Sequence, residues 1–374
     1  MTAGPLDPEA FRSERAARAI VERIRGLATA PAALMEVCGT HTVAISRFGL
    51  RSLLPERLRL LSGPGCPVCV TPVGEIDRAI AIARLPDTIV ATFGDMMRVP
   101  GSESSLERER ARGADVRIVY SPLDALEIAA EEPGREIVFL GVGFETTSPT
   151  VAATIARADR EGLRNVSVLP FFKRIPPALR KLAAVPDRSL DGFICPGHVS
   201  VVLGSDAYRS IARDDGLPCV VTGFEPLDIL WGIFLLLRQA NDVRAGGRAK
   251  VEIQYRRAVT REGNPAALAM LDDVFEICDA EWRGIGEIPE SGYAIAEPYR
   301  NLDAGPRFDV ELPPPADDGP CICGEIMLGE KLPDDCPSFG TACTPRSPLG
   351  PCMVSSEGSC AAFYRYERGR RDRR

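Results

Sequence analysis

Short apolar, β-branched runs recur along the chain, each ending in a glycine-rich or polar loop. They are LMEV (34–37), LRLLS (58–62), TIVAT (88–92), EIVFLGVG (136–143), VSVLPFF (166–172), DGFICPG (191–197) and PCVVTG (218–223). Between them lie stretches with helical spacing: GEIDRAIAIARL, SPLDALEIAAEE, TVAATIARADREG and SDAYRSIARDDG. Strand–loop–helix alternation predicts an α/β fold of parallel sheets covered by helices on both faces. An opening helix is expected from Asp7, Pro8 and Glu9, with Phe11, Ile20, Val21 and Ile24 forming its apolar stripe. The rhythm breaks at ERERARGAD (107–115), which has charge but no stripe. Two Rossmann-like units are therefore expected, 1–115 and 116–245, with the DILWGIFLLLRQ helix able to pack on either. From Pro306 the composition turns to glycine, proline and cysteine, so 246–374 is expected to be a C-terminal region held by something other than a large core.

Composition narrows the classes. A chain of 374 residues with 45% apolar and 26% charged residues is globular. Its net charge of −7 argues against nucleic acid as the main partner. The arginine-rich end, RYERGRRDRR, is expected to be a solvated tail. The N-terminus carries no apolar signal segment, and the longest apolar run, Ile229–Leu237, is far shorter than the roughly 20 residues that span a bilayer. A cytoplasmic location, away from membranes, is the expectation. In that reducing compartment the twelve cysteines are expected to act as ligands or redox thiols rather than structural staples.

In open parallel sheets, ligands bind outside the carboxyl ends of the strands. Cys38 and His41 fall there, as do Cys66 and Cys69, Asp95, Glu145 with Thr146, and His198. GVGFETT lacks the third glycine of a dinucleotide fingerprint. CGTHT (38–42) places a thiol three residues from one of the chain's two histidines. That pair suits a Cys/His nucleophile, soft ligation of a transition metal, or a buried cysteine beside a structural histidine. CPVC (66–69) is half a zinc site or a redox dithiol. With no second such pair, the dithiol is the better reading, with one thiol expected to be exposed and acidified. Cys195, Cys219 and Cys278 read as small core residues.

The last six cysteines, Cys321, Cys323, Cys336, Cys343, Cys352 and Cys360, fall within forty residues. Such density without a secretory signal points to a metal centre. Zinc remains open, although the C-x2-C knuckles of its structural sites are missing. A [4Fe–4S] cluster takes four thiolates at irregular spacing. Two thiols would remain for a dithiol or disulfide. The C-x3-C-x2-C signature of radical enzymes is absent.

Seven strings mark a resemblance: CGTHT, GPGCPVCVTP, FGDMMRVPGS, GFETTSPT, PGHVS, GFEPLDIL and FGTACTPRSPLGPCMVSSEGSCAAFYRY. In this order, over Met35 to Tyr366, the chain resembles the HypD family of hydrogenase maturation factors. The resemblance implies a scaffold that, with the small chaperone HypC, holds iron while it acquires two cyanides and one carbon monoxide. Cyanide would come from HypE, charged by HypF. Cys38 would be a thiolate ligand of this Fe(CN)2CO group, with His41 beside it. The family's likeness to ferredoxin:thioredoxin reductase implies Cys321, Cys336, Cys343 and Cys360 as cluster ligands. It also implies a disulfide between Cys323 and Cys352. The C-x-x-C spacing, flanked by Gly65 and Pro67, leads to the expectation that Cys66 and Cys69 cycle between dithiol and disulfide near that iron. The rival expectation is an enzyme using Cys38 as nucleophile and His41 as base around a structural metal. A third is a zinc protein that only binds partners.

Overall fold

All seven apolar runs become strands of two parallel sheets in the structure, a computed structural model that describes residues 11–185, 190–314 and 319–368. The first sheet holds β1 (Ala32–Glu36), β2 (Leu58–Ser62), β7 (Gly192–Pro196), β8 (Cys219–Thr222) and β9 (Val251–Ile253), in the order β2-β1-β7-β8-β9. The second holds β3 (Thr88–Thr92), β4 (Asp115–Ile118), β5 (Glu136–Gly143) and β6 (Val166–Phe172), in the order β4-β3-β5-β6. Every pairing within them is parallel, as β1 with β2 (Leu34 opposite Leu60) and β3 with β5 (Val90 opposite Val138). An antiparallel hairpin, β10 (Phe275–Trp282) and β11 (Gly286–Ile295), stands apart.

The sheets are not divided as the alternation suggested. After β2 the chain leaves the first sheet, builds the whole of the second, and returns with β7. Residue 115 opens β4, and β8 pairs with β9 across residue 245, so neither expected boundary coincides with a gap between sheets. The supposed break at ERERARGAD is the helix Leu106–Ala111 followed by β4. Ser105 caps that helix by accepting from the Arg108 amide at 3.3 Å. Its Glu109 is buried, clamped by Arg84 at 2.9 Å and Arg112 at 2.7 Å, and its carboxyl is held down at about 2, chiefly by the Arg84 bond. A charge run thus packs as part of the unit instead of linking two.

Three apolar cores follow. One lies between the sheets and carries Met35, Val90, Leu140 and Phe193. A second backs β3, β5 and β6. The third joins β1, β7 and β8 to the helices Glu14–Leu27 and Pro226–Arg244, which settles the long apolar helix on the first sheet. The expected start signal at Asp7–Glu9 lies outside the described residues; within them Ser13 caps the first helix, and Val21 and Ile24 bury its stripe. Cys195 and Cys219 are core residues as expected, whereas Cys278 on the hairpin is only partly buried. Among the described residues no helix is long and apolar enough to cross a membrane.

The loops after β1 and β2 touch backbone to backbone. The Gly39 amide donates to Gly65 O at 2.9 Å, and the Gly63 amide to Glu36 O at 2.7 Å. A Cβ at Gly65 would lie 2.1 Å from the Cys38 nitrogen. Backbone cannot yield as a flexible side chain can, so Gly65→Ala is expected to cost about 3 kcal/mol in urea unfolding. Gly26, near the end of the first helix with open space around it, provides the contrast. Gly26→Ala should stabilise by up to about 1 kcal/mol.

Candidate functional site

Cys38 extends from the end of β1 into the N-cap of the helix Gly39–Arg47. Its amide donates to Glu36 Oε2 at 3.1 Å, and Glu36, buried at the strand end, also accepts from Thr42 Oγ1 at 2.6 Å. The Cys38 sulfur lies against the His41 and Thr40 amides, donors suited to a thiolate at a helix N-terminus. Burial outweighs them, with the Glu357 carboxylate adding to it, and pushes the thiol up to about 12. Glu357 itself accepts from Thr40 Oγ1 at 2.7 Å, and a Cβ at Gly39 would strike it. The loop between Cys352 and Cys360 therefore closes over CGTHT.

His41 is fully buried and points the other way. Its Nε2 lies 2.9 Å from Gly223 O and 3.0 Å from Thr222 Oγ1, at the end of β8. A carbonyl can only accept, so Nε2 carries the proton and Nδ1, which has no hydrogen-bond partner, is a bare acceptor. Burial lowers the ring to about 4, so it is neutral. Phe224 packs between the chain's two histidines, with its ring centroid 4.7 Å from His41 and 4.0 Å from His198. A Cys–His catalytic pair keeps its sulfur ionised. Here a neutral imidazole bound to Gly223 O stands near a thiol that burial holds protonated.

CPVC forms the short helix Pro67–Val70, with the Cys69 amide donating to Cys66 Sγ at 3.3 Å. Neither thiol is exposed: Cys66 is 5% and Cys69 1% accessible. Burial pushes Cys69 up, which corrects the expectation of an exposed, acidified thiol in this loop. The acidified thiol lies elsewhere. Cys69 is hydrogen-bonded to Cys66 and to Cys352; Cys352 is bonded to Cys323, and Cys323 to Cys321. Cys352 is lowered because both its thiol neighbours, Cys323 first and then Cys69, stabilise its anion more than burial opposes it. For Cys323 the bond from Cys321 lowers, but the Cys352 bond and burial prevail and raise it.

The six C-terminal cysteines line one small pocket, walled by Ile322, Ile326, Phe339 and Met353. Cys360 lies within electrostatic reach of Cys323, Cys321, Cys343 and Cys336; burial first, then those neighbours, raises it. Cys343 is raised by burial against donors from the Leu349 and Gly350 amides. Among the described residues no three His, Cys, Asp or Glu side chains converge as they would on a single ion. Thiols around an apolar cavity do fit a [4Fe–4S] cluster, which needs four thiolates and is tuned by amide donors to sulfur. The hairpin turn holds this region against CPVC: the Arg283 amide donates to Val70 O at 2.8 Å, and Gly284 packs on Gly324.

The structure gathers most of the polar strand-end residues read from the sequence. Asp95 accepts from Ser355 Oγ at 3.0 Å, tying the second sheet to the cysteine-rich loop. Glu145 is instead buried under the helix Ile175–Ala183, accepting from the Ile175 amide at 3.0 Å, and burial raises it to about 7. Sequence reasoning missed Glu36, Phe224 and Glu357. Glu36 had one available signal, an acid inside an otherwise apolar strand.

The neutral buried imidazole gives a pH test. Its folded value lies below the ordinary 6.5, so the unfolded chain binds more protons between about 4 and 6.5 and stability falls as pH drops through that window. His41→Gln removes this dependence. The stability gap between wild type and variant should shrink by up to about 3 kcal/mol from pH 7 to pH 4, measured by urea unfolding. A gap independent of pH would show that His41 titrates normally.

Residues 15–367 match the family model described as "HypD: Hydrogenase formation hypA family". The hydrogenase maturation factor HypD of Cupriavidus necator is 47% identical over 370 residues, 96% of this chain and 97% of that one. HypD of Escherichia coli is 48% identical over 337 residues, covering 90% of this chain and 89% of its own. HypD of Rhodobacter capsulatus is 48% identical over 352 residues, 93% of this chain and 92% of its own. With the match spanning nearly the whole chain, the protein belongs to the HypD family of hydrogenase maturation factors.

Proposed function

We propose that this chain is the scaffold on which the iron of a [NiFe] hydrogenase is given its cyanide and carbon monoxide ligands, with its thiols supplying redox equivalents. The observation that carries the reading is the continuous series of thiol contacts from Cys66 and Cys69 through Cys352 to Cys323 and Cys321. Cys38 lies one backbone contact from that series, through Gly65. The iron is cargo, held by the Cys38 sulfur together with the partner HypC, while HypE delivers cyanide.

Cys38 is built for a cation. Its sulfur faces amide donors yet stays protonated in a buried site. A metal ion supplies the missing charge and displaces the proton, so the site favours iron over a bare thiolate. Glu36 orients the Cys38 amide, and His41 braces the helix against β8.

Cys321, Cys336, Cys343 and Cys360 hold a [4Fe–4S] cluster, leaving Cys323 and Cys352 as the neighbouring dithiol. When bound, the cluster supplies electrons one at a time. Cys352, the acidified thiol, serves as the exchange nucleophile. As thiolate it attacks Cys69 of a Cys66–Cys69 disulfide, releasing Cys66 as thiolate and forming a Cys352–Cys69 bond. Cys323 then gives up its proton and attacks Cys352, and the Cys69 thiolate that leaves takes that proton. The net change reduces the CPVC pair and oxidises Cys323 and Cys352, two electrons each.

Cys38→Ala is expected to abolish the cyanide and carbon monoxide infrared bands of the chain purified with HypC, while its visible spectrum stays unchanged. Bands of full strength would refute iron ligation by Cys38. Iron counting on six single alanine variants separates ligand from dithiol. Variants at 321, 336, 343 and 360 should lose iron and colour, whereas Cys323→Ala and Cys352→Ala should keep about four irons. Loss in all six would remove the dithiol from the scheme, and loss in none would remove the cluster.

A further inference from the structure

An open cleft of about 740 Å³ with no cysteine in its lining lies along β9. Its cations are Arg209, Arg213, Lys250, Arg256 and Arg261, against the acids Asp206 and Glu252. This is a concentration of positive charge on a chain whose net charge is −7. Asp206 engages both Arg209 at 2.8 Å and Arg261 at 3.4 Å, and Arg213 is paired with Asp214 at 2.6 Å. Glu252 is drawn to Arg238 outside the cleft, which leaves Lys250 and Arg256 without a carboxylate among these pairs. The cleft therefore keeps a net positive lining.

β9 is the terminal strand of its sheet. Lys250 O accepts from Cys219 and the Gln254 amide donates to Val221, so the even-numbered residues bond inward to β8. Alternation turns the backbone groups of Val251 and Ile253 outward, toward the cleft they line. Arg256 Nε donates to Ile253 O at 3.1 Å. The Val251 amide and carbonyl and the Ile253 amide remain directed into the cleft. An exposed strand edge is a template for another strand.

A phosphate site would need buried donors aimed at one point. Here the guanidinium side chains are spread out and exposed, 53% for Arg209, 77% for Arg213 and 60% for Arg261, and Ala212, Ala249, Val251 and Ile253 add an apolar wall. A strand edge, an apolar wall and a cationic rim together fit an extended peptide. We propose that an extended acidic segment of a partner protein adds to the outer edge of β9, pairing with Val251 and Ile253 while its carboxylates meet Lys250, Arg256 and Arg261. β9 lies three strands from β1, about 14 Å at ordinary strand spacing, so a partner held there leaves the Cys38 loop free.

The probe is an acetylated, amidated peptide of four Glu-Val repeats, titrated against the full chain by fluorescence anisotropy. Saturable binding is expected, weakening about tenfold from 50 to 500 mM salt as exposed charge pairs are screened. Hydrogen exchange at 250–254 should slow about tenfold in the bound state. The double variant Lys250→Glu with Arg256→Glu changes two exposed side chains and should fold with unchanged Tm while losing binding at least tenfold. A peptide N-methylated at alternate residues should not bind, because it cannot pair. Equal binding of the methylated peptide, no binding of the parent peptide, or tighter binding of single-stranded RNA or polyphosphate at the same residues would each overturn the proposal.

Discussion

No atom heavier than hydrogen fits on the Cα of Gly65. The Gly39 amide bonds Gly65 O, and an added Cβ would meet the Cys38 backbone. That contact brings the loops after β1 and β2 to their closest possible approach, and two chemical groups meet there in consequence. Cys38 ends one loop and Cys66 follows Gly65 in the other. Gly39, the next residue along, leaves room for Glu357, so the C-terminal loop joins the same knot. Close packing of backbone on backbone, rather than any one hydrogen bond, aligns the thiols.

Burial then governs their chemistry. Cys38, Cys69, Cys343 and Cys360 are all raised, with desolvation the leading cause in each. A buried, protonated thiol is a poor target for stray oxidants and a poor nucleophile. Cys352 is the exception because two thiols donate to it. Within one dry compartment, the hydrogen bonds a sulfur receives from neighbouring thiols decide whether it is acidified. His41 follows the same rule with the opposite sign: burial makes its ring neutral, and the Gly223 carbonyl fixes its tautomer.

The two sheets meet this compartment from different sides. The first supplies Cys38, the CPVC loop and the Gly223 carbonyl; the second supplies Asp95, which holds Ser355 between Cys352 and Cys360. Arg98 adds a bond to Pro345 O at 2.8 Å. The cysteine-rich segment has few strands or long helices of its own and takes its shape from these contacts. A member of the HypD family thus carries its reactive groups on loops that a rigid α/β frame positions.

By itself the sequence determined the α/β class, the seven apolar strands and the set of strand-end loops that carry Cys38, Cys66, Cys69 and His198, because each depends on local periodicity and on glycine at the loop. It also marked the last six cysteines as one group, since spacing within forty residues is a local property. Tertiary structure alone decided the rest. β4, β9 and the hairpin have mixed or polar faces, so periodicity hid them. The return of β7 to the first sheet is a pairing of distant residues that no local pattern encodes. The charge run at ERERARGAD looked like a break between two units because burial of Glu109 depends on Arg84, 25 residues away. The acidity of Cys352 was equally invisible, for it comes from Cys69 and Cys323, which are brought to it only when the sheets and the C-terminal loop close on one another.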